Sequence, residues 1–473
     1  MDRELYEKLL AWMNAHRDDI VADIKSLASI SSVSVYNDPP YPYGRGVKAA
    51  LDKALEIGAG YGFDAENYED YCGSLFFNAT GDANAPFIGF WEHMDVVPEG
   101  SGWLFTKPYE PIEYNGSLIG RGVEDNKGPA ICVLAAMRAL RELHVPLKHN
   151  LKLFVGCDEE HGMSDCEHFS AAHPNGHGVL SIIADSEFPV NYGEKGIIEC
   201  NLVSKKKLSD AFVSVSGGLA SNIIPPSATA TLKRSGSIAA LPEGVDYDAF
   251  ENEVVFSAHG QAAHSSMPHL GVNAIGRLTK ALIYSGILSE EDAAILALPD
   301  RINDTADGAA VGIVTSDQIS GKLTCAGTMT SLRDGHFVLH LNIRYPVTES
   351  GERLLANINK MADEGGYTVE LIQDNKPNYY PPESPIVPAL TNLYNEITGD
   401  NKPPFVMAGG TYARKLPNAI GFGMGIPGGR RADWLPEGHG GPHEPDEHID
   451  VNLALRAAAI FAMGIVTADG LIN

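Results

Sequence analysis

The chain has 473 residues, of which 44% are hydrophobic and 20% charged, the balance of a folded globular protein with more than one domain. It carries 35 Lys and Arg against 61 Asp and Glu, a formal net charge of −26. Such an acidic surface repels phosphate backbones and anionic membranes, so we expect neither a nucleic acid nor a membrane as a partner.

The amino-terminal stretch MDRELYEKLLAWMNAHRDDI is amphipathic and carries acids early. It lacks the basic start, apolar core and small-residue cleavage site of a signal peptide. We find no apolar run of about 18 or more residues that would predict a membrane span. The six cysteines form no CxxC pair. A disulfide between Cys157 and Cys166 is the weaker interpretation, and reduced, mostly buried thiols in a cytoplasmic protein fit better.

Strand-like and helical patterns alternate in the first part of the chain. A strand is predicted at 85–91, a helix at 129–143 with Pro129 in its first turn, and further buried strands at 150–156 and 180–185. This alternation predicts an α/β domain with a mostly parallel sheet flanked by helices.

The pattern changes after the third of these strands. Segments 252–260 and 336–346 alternate apolar and polar residues, as half-exposed strands do in a sheet packed on one face. The Pro-rich stretch YYPPESPIV at 379–387 marks another boundary. We therefore predict a core domain interrupted by an inserted α+β domain, the core formed by 1–186 and 383–473 and the insertion by 187–382.

Histidine and carboxylate residues follow each of the three predicted strands. His93 and Asp95 come after the first, Glu159 and Glu160 after the second, and Asp185 after the third. Ligands of open α/β sheets bind beyond the carboxyl ends of the strands. We therefore expect these side chains at one edge of the sheet.

Asp125 lies in GRGVEDNKG, just before the predicted helix, so it can face the same edge. Taken singly, each of these residues has an ordinary structural explanation, since an Asp after a strand is commonly a turn former or a helix cap. Their recurrence at corresponding positions favours a shared metal site.

Two other motifs do not predict a ligand site. HEPDEH at 443–448 resembles the zinc-protease motif HExxH, but its histidines are five residues apart and Pro445 intervenes, whereas the helical motif needs a spacing of four. GFGMGIPGG at 421–429 lacks the full dinucleotide fingerprint and a following helix, so it predicts a packed strand and turn.

Five ordered motifs, HMDVVP, GRGVEDNKG, DEEHG, ADSEFP and GGPHEPDEH, resemble those of the dinuclear zinc aminopeptidase/deacylase superfamily. That group includes aminoacylase, acetylornithine deacetylase, succinyl-diaminopimelate desuccinylase and several dipeptidases. With SNIIPPSA, GQAAHSSMPHLGVNA, NIRYP, GGTYAR and the long insertion, the chain looks most like the PepV-type bacterial dipeptidases. The resemblance extends over nearly the whole chain.

The resemblance implies two divalent metal ions per chain, with Zn²⁺ as the first choice and Mn²⁺ or Co²⁺ as alternatives. Asp125 would bridge the two ions. His93 and Asp185 would complete one site, and Glu160 and His443 the other.

Two more acids receive catalytic roles from the resemblance. Asp95 would hydrogen-bond to the imidazole of His93 and fix its tautomer. Glu159 would be the general base that takes a proton from the attacking water and passes it to the leaving amine. His161, directly after the glutamate pair, departs from the small or apolar residue that relatives more often carry at this position.

The inserted domain would act as a lid on the substrate. His264 would stabilise the oxyanion of the tetrahedral intermediate, although on its own it would be interpreted as a structural His in a tight turn. Arg344 and Asn222 would bind the peptide carboxylate. Gly410 and Arg414, in GGTYAR, are further candidates for substrate contact, and an ion pair within the core is an equal alternative for Arg414.

Together these features predict a cytoplasmic metallo-dipeptidase that hydrolyses short peptides with a free N-terminus and a C-terminal carboxylate. It would be a monomer, because many relatives dimerise through a smaller lid and the longer insertion would here take the place of the partner subunit. An N-acyl amino-acid deacylase with the same site is the alternative, and a catalytically inactive binding homologue is a weaker one. Calcium sites are disfavoured, because no EF-hand loop occurs and histidines are among the ligands.

Overall fold

The computed structural model describes residues 1–234, 236–425 and 432–472. The chain divides into two compact units, each formed by segments that are separate in the sequence. Unit 1 comprises Met1–Gly193, Tyr379–Phe405 and Gly410–Asn473, and unit 2 comprises Glu194–Asn378 and Val406–Gly409. The main boundaries thus fall at 193/194 and 378/379, against 186/187 and 382/383 in the sequence analysis, which did not foresee the short return at 406–409.

Unit 1 is built on a nine-stranded sheet with parallel strands at its centre. In spatial order the strands are Asp64–Tyr68, Cys72–Phe77, Asn150–Gly156, Phe87–His93, Leu180–Ile183, Ala419–Gly421, Asn191–Glu194 and Asn378–Tyr379, with Phe405–Met407 also pairing with Asn191–Glu194. The third to the sixth of these run parallel, and their neighbours on both sides are antiparallel. The α/β class is confirmed, with the parallel order confined to the central strands.

Connection length explains this mixture of directions. Asp64–Tyr68 and Cys72–Phe77 are joined by a tight turn in which Glu69 and Asp70 have positive φ angles of 54° and 64°, the backbone that a short antiparallel hairpin needs. Parallel neighbours instead need a long crossover, which the helix Lys127–Glu142 supplies between Phe87–His93 and Asn150–Gly156.

Helices and aromatic side chains cover the two faces of this sheet. Lys127–Glu142 is buried over nearly its whole length because it lies between the sheet and Val451–Leu471. On the other face Trp91 stacks on Phe154 with 4.2 Å between ring centroids, and Phe169 packs edge-on against both. The helices of unit 1 are Arg3–Ala15, Arg17–Ala28, Arg45–Gly60, Lys127–Glu142, Ser164–Ala172, Ile386–Thr398 and Val451–Leu471.

The carboxy-terminal helix Val451–Leu471 begins at Asp450, whose carboxylate caps the N–H of Leu453 at 2.9 Å. Among the described residues it is the one helix that is long and apolar enough to cross a membrane, a segment that the sequence analysis did not identify. Of its most apolar window, 72% is buried within the protein, as is usual for a core helix.

Unit 2 is an α+β unit whose main sheet is antiparallel and has eight strands. In spatial order its strands are Val245–Ala249, Glu253–His259, Ser227–Lys233, Phe212–Gly217, Thr324–Arg333, His336–Tyr345, Gly196–Lys207 and Tyr367–Asn375. Its helices Ala274–Tyr284, Glu290–Thr305 and Gly351–Glu364 begin at Asn273, Ser289 and Ser350, and each of these side chains accepts a backbone N–H of the first turn.

One strand of unit 2 differs from its prediction. Glu253–His259 alternates buried and exposed residues as expected, but His336–Tyr345 is buried along nearly all of its length. It lies inside the sheet between Thr324–Arg333 and Gly196–Lys207. Its polar side chains are hydrogen-bonded within the unit, so the alternation separates an apolar face from a buried polar face.

Two smaller predictions concern cysteines and the apolar-glycine run. All six cysteines are buried and unpaired, as expected of reduced thiols. The predicted strand and turn at 421–429 is seen in part, as the strands Ala419–Gly421 and Met424–Gly425. Residues 426–429 lie outside the described part of the chain.

Candidate active site

The parallel strands of unit 1 bring the predicted ligands to one edge of the sheet. His93 ends the central strand. Its parallel neighbour on one side ends three residues before Glu159, and its neighbour on the other side ends two residues before Asp185. Asp125 lies just before the helix Lys127–Glu142. Strand ends and a helix start therefore place the four side chains in one region, as the sequence pattern predicts.

Two groups of potential metal ligands share Asp125. In the first, His93 Nε2 lies 3.0 Å from Asp125 Oδ1 and 3.5 Å from Asp185 Oδ2. In the second, His443 Nε2 lies 3.1 Å from Asp125 Oδ2 and 3.3 Å from Glu160 Oε2. Each oxygen of Asp125 therefore belongs to one group, which is the arrangement of a carboxylate shared by two cations.

The residues fit divalent transition metals. Imidazole nitrogens combined with carboxylate oxygens suit Zn²⁺, and also Mn²⁺ or Co²⁺. Two ligand atoms about 2.1 Å from one cation at a tetrahedral angle lie about 3.4 Å apart, and the four distances above run from 3.0 to 3.5 Å. The Oε1 atoms of Glu159 and Glu160 are buried and have no hydrogen-bond partner among the described residues, which is costly unless a ligand or water takes them.

The crowding of carboxylates and imidazoles at this site shifts the pKa values of its residues. Burial raises the pKa of Glu160 to about 7 and raises the pKa of Asp185. Burial disfavours the charged form of His443, but the carboxylates of Asp125 and Glu160 outweigh it and raise the pKa of His443 to about 11. Cations at these positions would take the place of the imidazolium protons and keep the carboxylates ionised.

Asp95 is buried beside His93, but its main contacts differ from the predicted one. The Nδ1 of His93 lies 2.9 Å from the backbone carbonyl of Asp95 and 3.4 Å from its carboxylate. The two carboxylate oxygens instead accept the backbone N–H groups of Glu159, at 3.1 Å, and Glu160, at 3.0 Å. Asp95 therefore holds the glutamate pair in place and orients the imidazole mainly through its main chain.

The side chain of Glu159 is 9% exposed and lies among charged groups. Burial raises its pKa well above the usual range, with further contributions in the same direction from Asp185 and Glu160, while His93 opposes them. A carboxylate with a raised pKa and one oxygen without a partner can accept a proton. The geometry thus allows the role of general base that the sequence analysis assigned to it.

Sequence reasoning missed several buried side chains that hold the ligand loops by their backbones. Oε1 of Glu92 accepts the N–H of Ala184 at 2.9 Å, next to Asp185. Oδ1 of Asn126 accepts the N–H of His93 at 3.1 Å. Glu92 and Asn126 are each adjacent in sequence to a predicted ligand, and that adjacency is the signal that could have identified these two side chains.

A cavity of about 490 Å³ in unit 1 reaches the candidate ligands Asp125 and Asp185. Apolar side chains such as Met424 and Leu453 line it together with acids such as Glu124. A cavity of this size suits a small molecule, and it adjoins the candidate metal ligands.

In unit 2, His264 lies on one of two short strands that pair with each other, and Asn222 directly precedes the other strand. The carbonyl of Asn222 accepts the N–H of Ser265 at 2.8 Å. His264 is exposed, and its Nδ1 lies 2.6 Å from the hydroxyl of Ser266. The predicted oxyanion and carboxylate groups are therefore neighbours within this unit.

Arg344 is 5% exposed, contrary to the exposed position that its strand pattern suggested. Its Nε donates to Oδ1 of Asn342 at 2.9 Å and its Nη1 to the carbonyl of Ala408 at 3.2 Å. Asn342 also accepts from the hydroxyl of Ser265 at 2.9 Å and donates to Glu199 at 2.6 Å. The amide of Asn342 thus connects the arginine to the loop that carries the predicted oxyanion histidine.

The GGTYAR motif has a visible structural role. A Cβ at Gly410 would lie 2.0 Å from a guanidinium nitrogen of Arg414, so glycine leaves the space that this side chain occupies. The hydroxyl of Tyr412 donates at 2.5 Å to Asp165, which also accepts the N–H of Cys157. The motif therefore supports the loop of the glutamate pair, and substrate contact by Gly410 and Arg414 remains a prediction.

The model of Peptidase family M20/M25/M40 matches residues 89–465, most of the chain. The chain belongs to this family. It is therefore a metallopeptidase, as its sequence motifs predicted, and the resemblance to the dinuclear zinc peptidase superfamily is confirmed.

Its relatives include proteins with provisional dipeptidase names. YtjP of Bacillus subtilis (strain 168) is 28% identical over 467 residues, which cover 95% of this chain and 97% of the relative. A protein of Staphylococcus aureus (strain USA300) is 28% identical over 471 residues, again 95% of this chain and 97% of the relative.

Solved structures share the fold over nearly the whole chain. Human carnosine dipeptidase 1 aligns with a TM-score of 0.58 at 18% identity, covering 99% of both chains. The metallo-carboxypeptidase Sso-CP2 of Sulfolobus solfataricus aligns with a TM-score of 0.59 at 14% identity, covering 96% of this chain and 99% of that one. At these identities the likeness establishes the fold alone.

Proposed function

We propose that this metallopeptidase is a dinuclear dipeptidase that hydrolyses short peptides with a free N-terminus and a C-terminal carboxylate. The observation that carries the proposal is the pair of ligand groups that meet at the two oxygens of Asp125. The dipeptidase names of its relatives support the choice of substrate.

The proposal assigns His93 and Asp185 to one cation and Glu160 and His443 to the other, with Asp125 shared. When bound, the two cations lower the pKa of a water and polarise the scissile carbonyl. Zn²⁺ is the first candidate for this ligand set, and Mn²⁺ and Co²⁺ are alternatives.

The chain's own residues supply proton transfer and positioning. Glu159 takes the proton of the attacking water through its carboxylate and delivers it to the leaving amine. Asp95 keeps that carboxylate in place through the backbone N–H of Glu159, at 3.1 Å.

Unit 2 supplies the groups that recognise the substrate in this proposal. Arg344 and Asn222 bind the C-terminal carboxylate, and His264 stabilises the oxyanion. Gly410 and Arg414 of unit 1 are further candidates for substrate contact. We also propose that the enzyme acts as a cytoplasmic monomer.

The test is hydrolysis of a dipeptide panel, with N-acetyl amino acids beside it, by protein stripped of metal with a chelator. Zn²⁺, Mn²⁺ or Co²⁺ is then added back singly. We expect metal-restored cleavage of dipeptides and a loss of about 10²–10⁴-fold in kcat for Glu159→Ala. Glu167→Gln is the control, because Glu167 is an exposed helix residue whose partner is the surface Lys415.

The outcomes separate the candidate functions. Cleavage of N-acetyl amino acids in preference to dipeptides would identify a deacylase with the same site. Binding of two metals without cleavage of either class would identify a binding homologue. Full activity of Glu159→Ala would remove Glu159 from the mechanism.

A further inference from the structure

The HEPDEH motif, which does not have zinc-protease spacing, holds a carboxylate with an unusual set of partners. Glu447 is fully buried. Its Oε1 accepts the N–H groups of Glu124, at 2.8 Å, and Asp125, at 3.0 Å. Its Oε2 accepts the N–H of Gly122, at 3.0 Å, and Nη1 of Arg121, at 2.8 Å.

These four bonds engage both oxygens of Glu447, leaving it little capacity to act as a ligand or as a base. Arg121 is 1% exposed and balances the buried charge. The main chain adds a further bond, from the N–H of Gly120 to the carbonyl of Glu447 at 2.9 Å. The carboxylate is therefore committed to holding the loop that runs from Gly120 to Asp125.

The loop from Gly120 to Asp125 and the segment that contains Glu447 both carry candidate metal ligands. Asp125 takes part in both groups, and His443 lies four residues before Glu447 on the segment that clamps it. His443 adopts a left-handed backbone with φ of 64°, a conformation that a non-glycine residue keeps only when its surroundings hold it. Glu447 therefore ties the shared ligand to the segment of the second histidine.

We infer that Glu447 is a positioning residue that fixes Asp125 for both cations and links the two cation sites. The inference rests on the proposed function, since it takes Asp125 as the shared ligand. Outer partners of metal ligands typically contribute about 10–100-fold in metal affinity. Because Asp125 belongs to both groups, loss of the clamp is expected to weaken both binding steps.

A buried carboxylate elsewhere in unit 1 provides a matched control. Asp469 is 5% exposed and accepts the N–H groups of Lys148, at 3.0 Å, and His149, at 2.9 Å, as well as Nδ1 of His149 at 2.9 Å. These residues precede the strand Asn150–Gly156, at the end opposite to the glutamate pair. Asp469→Asn removes a similar clamp from a loop that holds none of the proposed ligands.

The experiment is calorimetric titration of Zn²⁺ into chelator-stripped wild-type protein, Glu447→Gln and Asp469→Asn, with the Tm of each stripped protein. We expect Glu447→Gln to weaken both binding steps by about 10–100-fold. We expect Asp469→Asn to lower Tm and to keep wild-type Zn²⁺ affinity. Wild-type affinity in Glu447→Gln, or an equal loss of affinity in the two variants, would overturn the inference.

Glu447→Asp keeps the test valid if Glu447→Gln does not fold. It retains the charge that Arg121 needs but is one methylene shorter, so it cannot reach all four donors, and we expect a smaller loss of Zn²⁺ affinity. Unchanged affinity in Glu447→Asp would then overturn the inference. Absence of Zn²⁺ binding by the wild type would overturn the proposed function and the inference together, whereas normal binding by the variants of an active dipeptidase would overturn the inference alone.

Discussion

The metal-site loops of unit 1 and the polar face of the strand His336–Tyr345 in unit 2 are held in place by different means. In unit 1, the carboxylates of residues such as Asp95 and Glu447 accept hydrogen bonds from the backbone N–H groups of neighbouring ligand loops. In unit 2, Arg344 and Asn342 stand two residues apart on one strand and share a face of the sheet. Loops lack the regular backbone hydrogen bonds of a sheet, so other groups must hold them in place. In a strand, the pleat of the backbone fixes the direction of each side chain.

The two regions also differ in charge. The unit 1 site gathers Asp125, Glu159, Glu160 and Asp185 around two histidines, an excess of negative charge suited to cations. The polar face of unit 2 has one buried carboxylate, Glu199, linked to one arginine through a neutral amide. We therefore expect substitutions in unit 1 to act on metal binding and substitutions in unit 2 to act on KM or on stability.

The largest effect is expected from Asp125→Ala. Removal of the shared carboxylate takes one ligand from both groups, so we expect two bound Zn²⁺ ions per chain to fall to fewer than one and hydrolysis to be lost. His443→Ala removes a ligand from one group only and should leave one ion bound. Metal content after dialysis, measured by elemental analysis, checks both. Equal metal content in the two variants would contradict the sharing of Asp125.

Arg344→Lys tests whether the polar face of unit 2 binds the carboxylate of the substrate. Lysine keeps the positive charge but loses the planar fork that binds a carboxylate with two hydrogen bonds. Charged hydrogen bonds are worth about 1.5–3 kcal/mol, so we expect KM for dipeptides to rise roughly 10- to 150-fold with kcat little changed. Arg333→Lys, on the adjacent strand and paired with Glu370 at the surface, is the control. A fall in kcat at constant KM would place Arg344 in the chemical step.

Asn342→Leu removes the link between the arginine and the loop of Ser265. Ser265 and Arg344 lose an acceptor and Glu199 loses a donor, and each buried group left unsatisfied costs about 1–3 kcal/mol. We expect a lower free energy of unfolding together with a raised KM.

Asn150→Leu is the matched variant in unit 1. The side chain of Asn150 is also fully buried, and it bonds to Thr80, Asp82 and Ala85 at the start of a strand. This variant should lose stability with KM unchanged. A similar KM in the two variants would show that Asn342 acts on stability alone.

The smallest effect is expected from the pH dependence of His340. Burial lowers its pKa below 6.5, against the opposing charge of Glu199, so folding favours the neutral imidazole. As pH falls through 6.5 the unfolded chain binds this proton, whereas the folded chain binds it only at lower pH. His340 therefore costs stability in acid, by at most about 1.4 kcal/mol per pH unit.

We expect the free energy of unfolding of His340→Gln to fall less between pH 7 and pH 5.5 than that of the wild type. Denaturant unfolding at the two values measures the difference. His259→Gln serves as the control, because His259 is exposed at the end of the strand Glu253–His259 in the same sheet. Identical pH slopes for wild type and His340→Gln would show that the imidazole is not held neutral.

The sequence by itself predicted the fold class and most of the candidate site residues from local patterns, whereas His443 and the individual metal roles came from the family resemblance. Apolar runs gave the central strands, and the residues that follow them gave His93, Glu159, Glu160 and Asp185 without any knowledge of contacts. Parallel strands in one sheet must end at one edge, which is why positions far apart in sequence could be grouped.

Only the tertiary structure decided which partners hold those residues. Asp95 accepts a backbone N–H of the glutamate pair, and Glu447 accepts the backbone N–H of Asp125. The strand that carries Arg344 is buried on both faces. The spacing of residues in the sequence predicts none of these three features. The sequence pattern around a polar side chain is the same whether that side chain hydrogen-bonds to water or to a buried backbone N–H. That choice is made by long-range packing, because a buried carboxylate persists only where several donors from distant segments meet it.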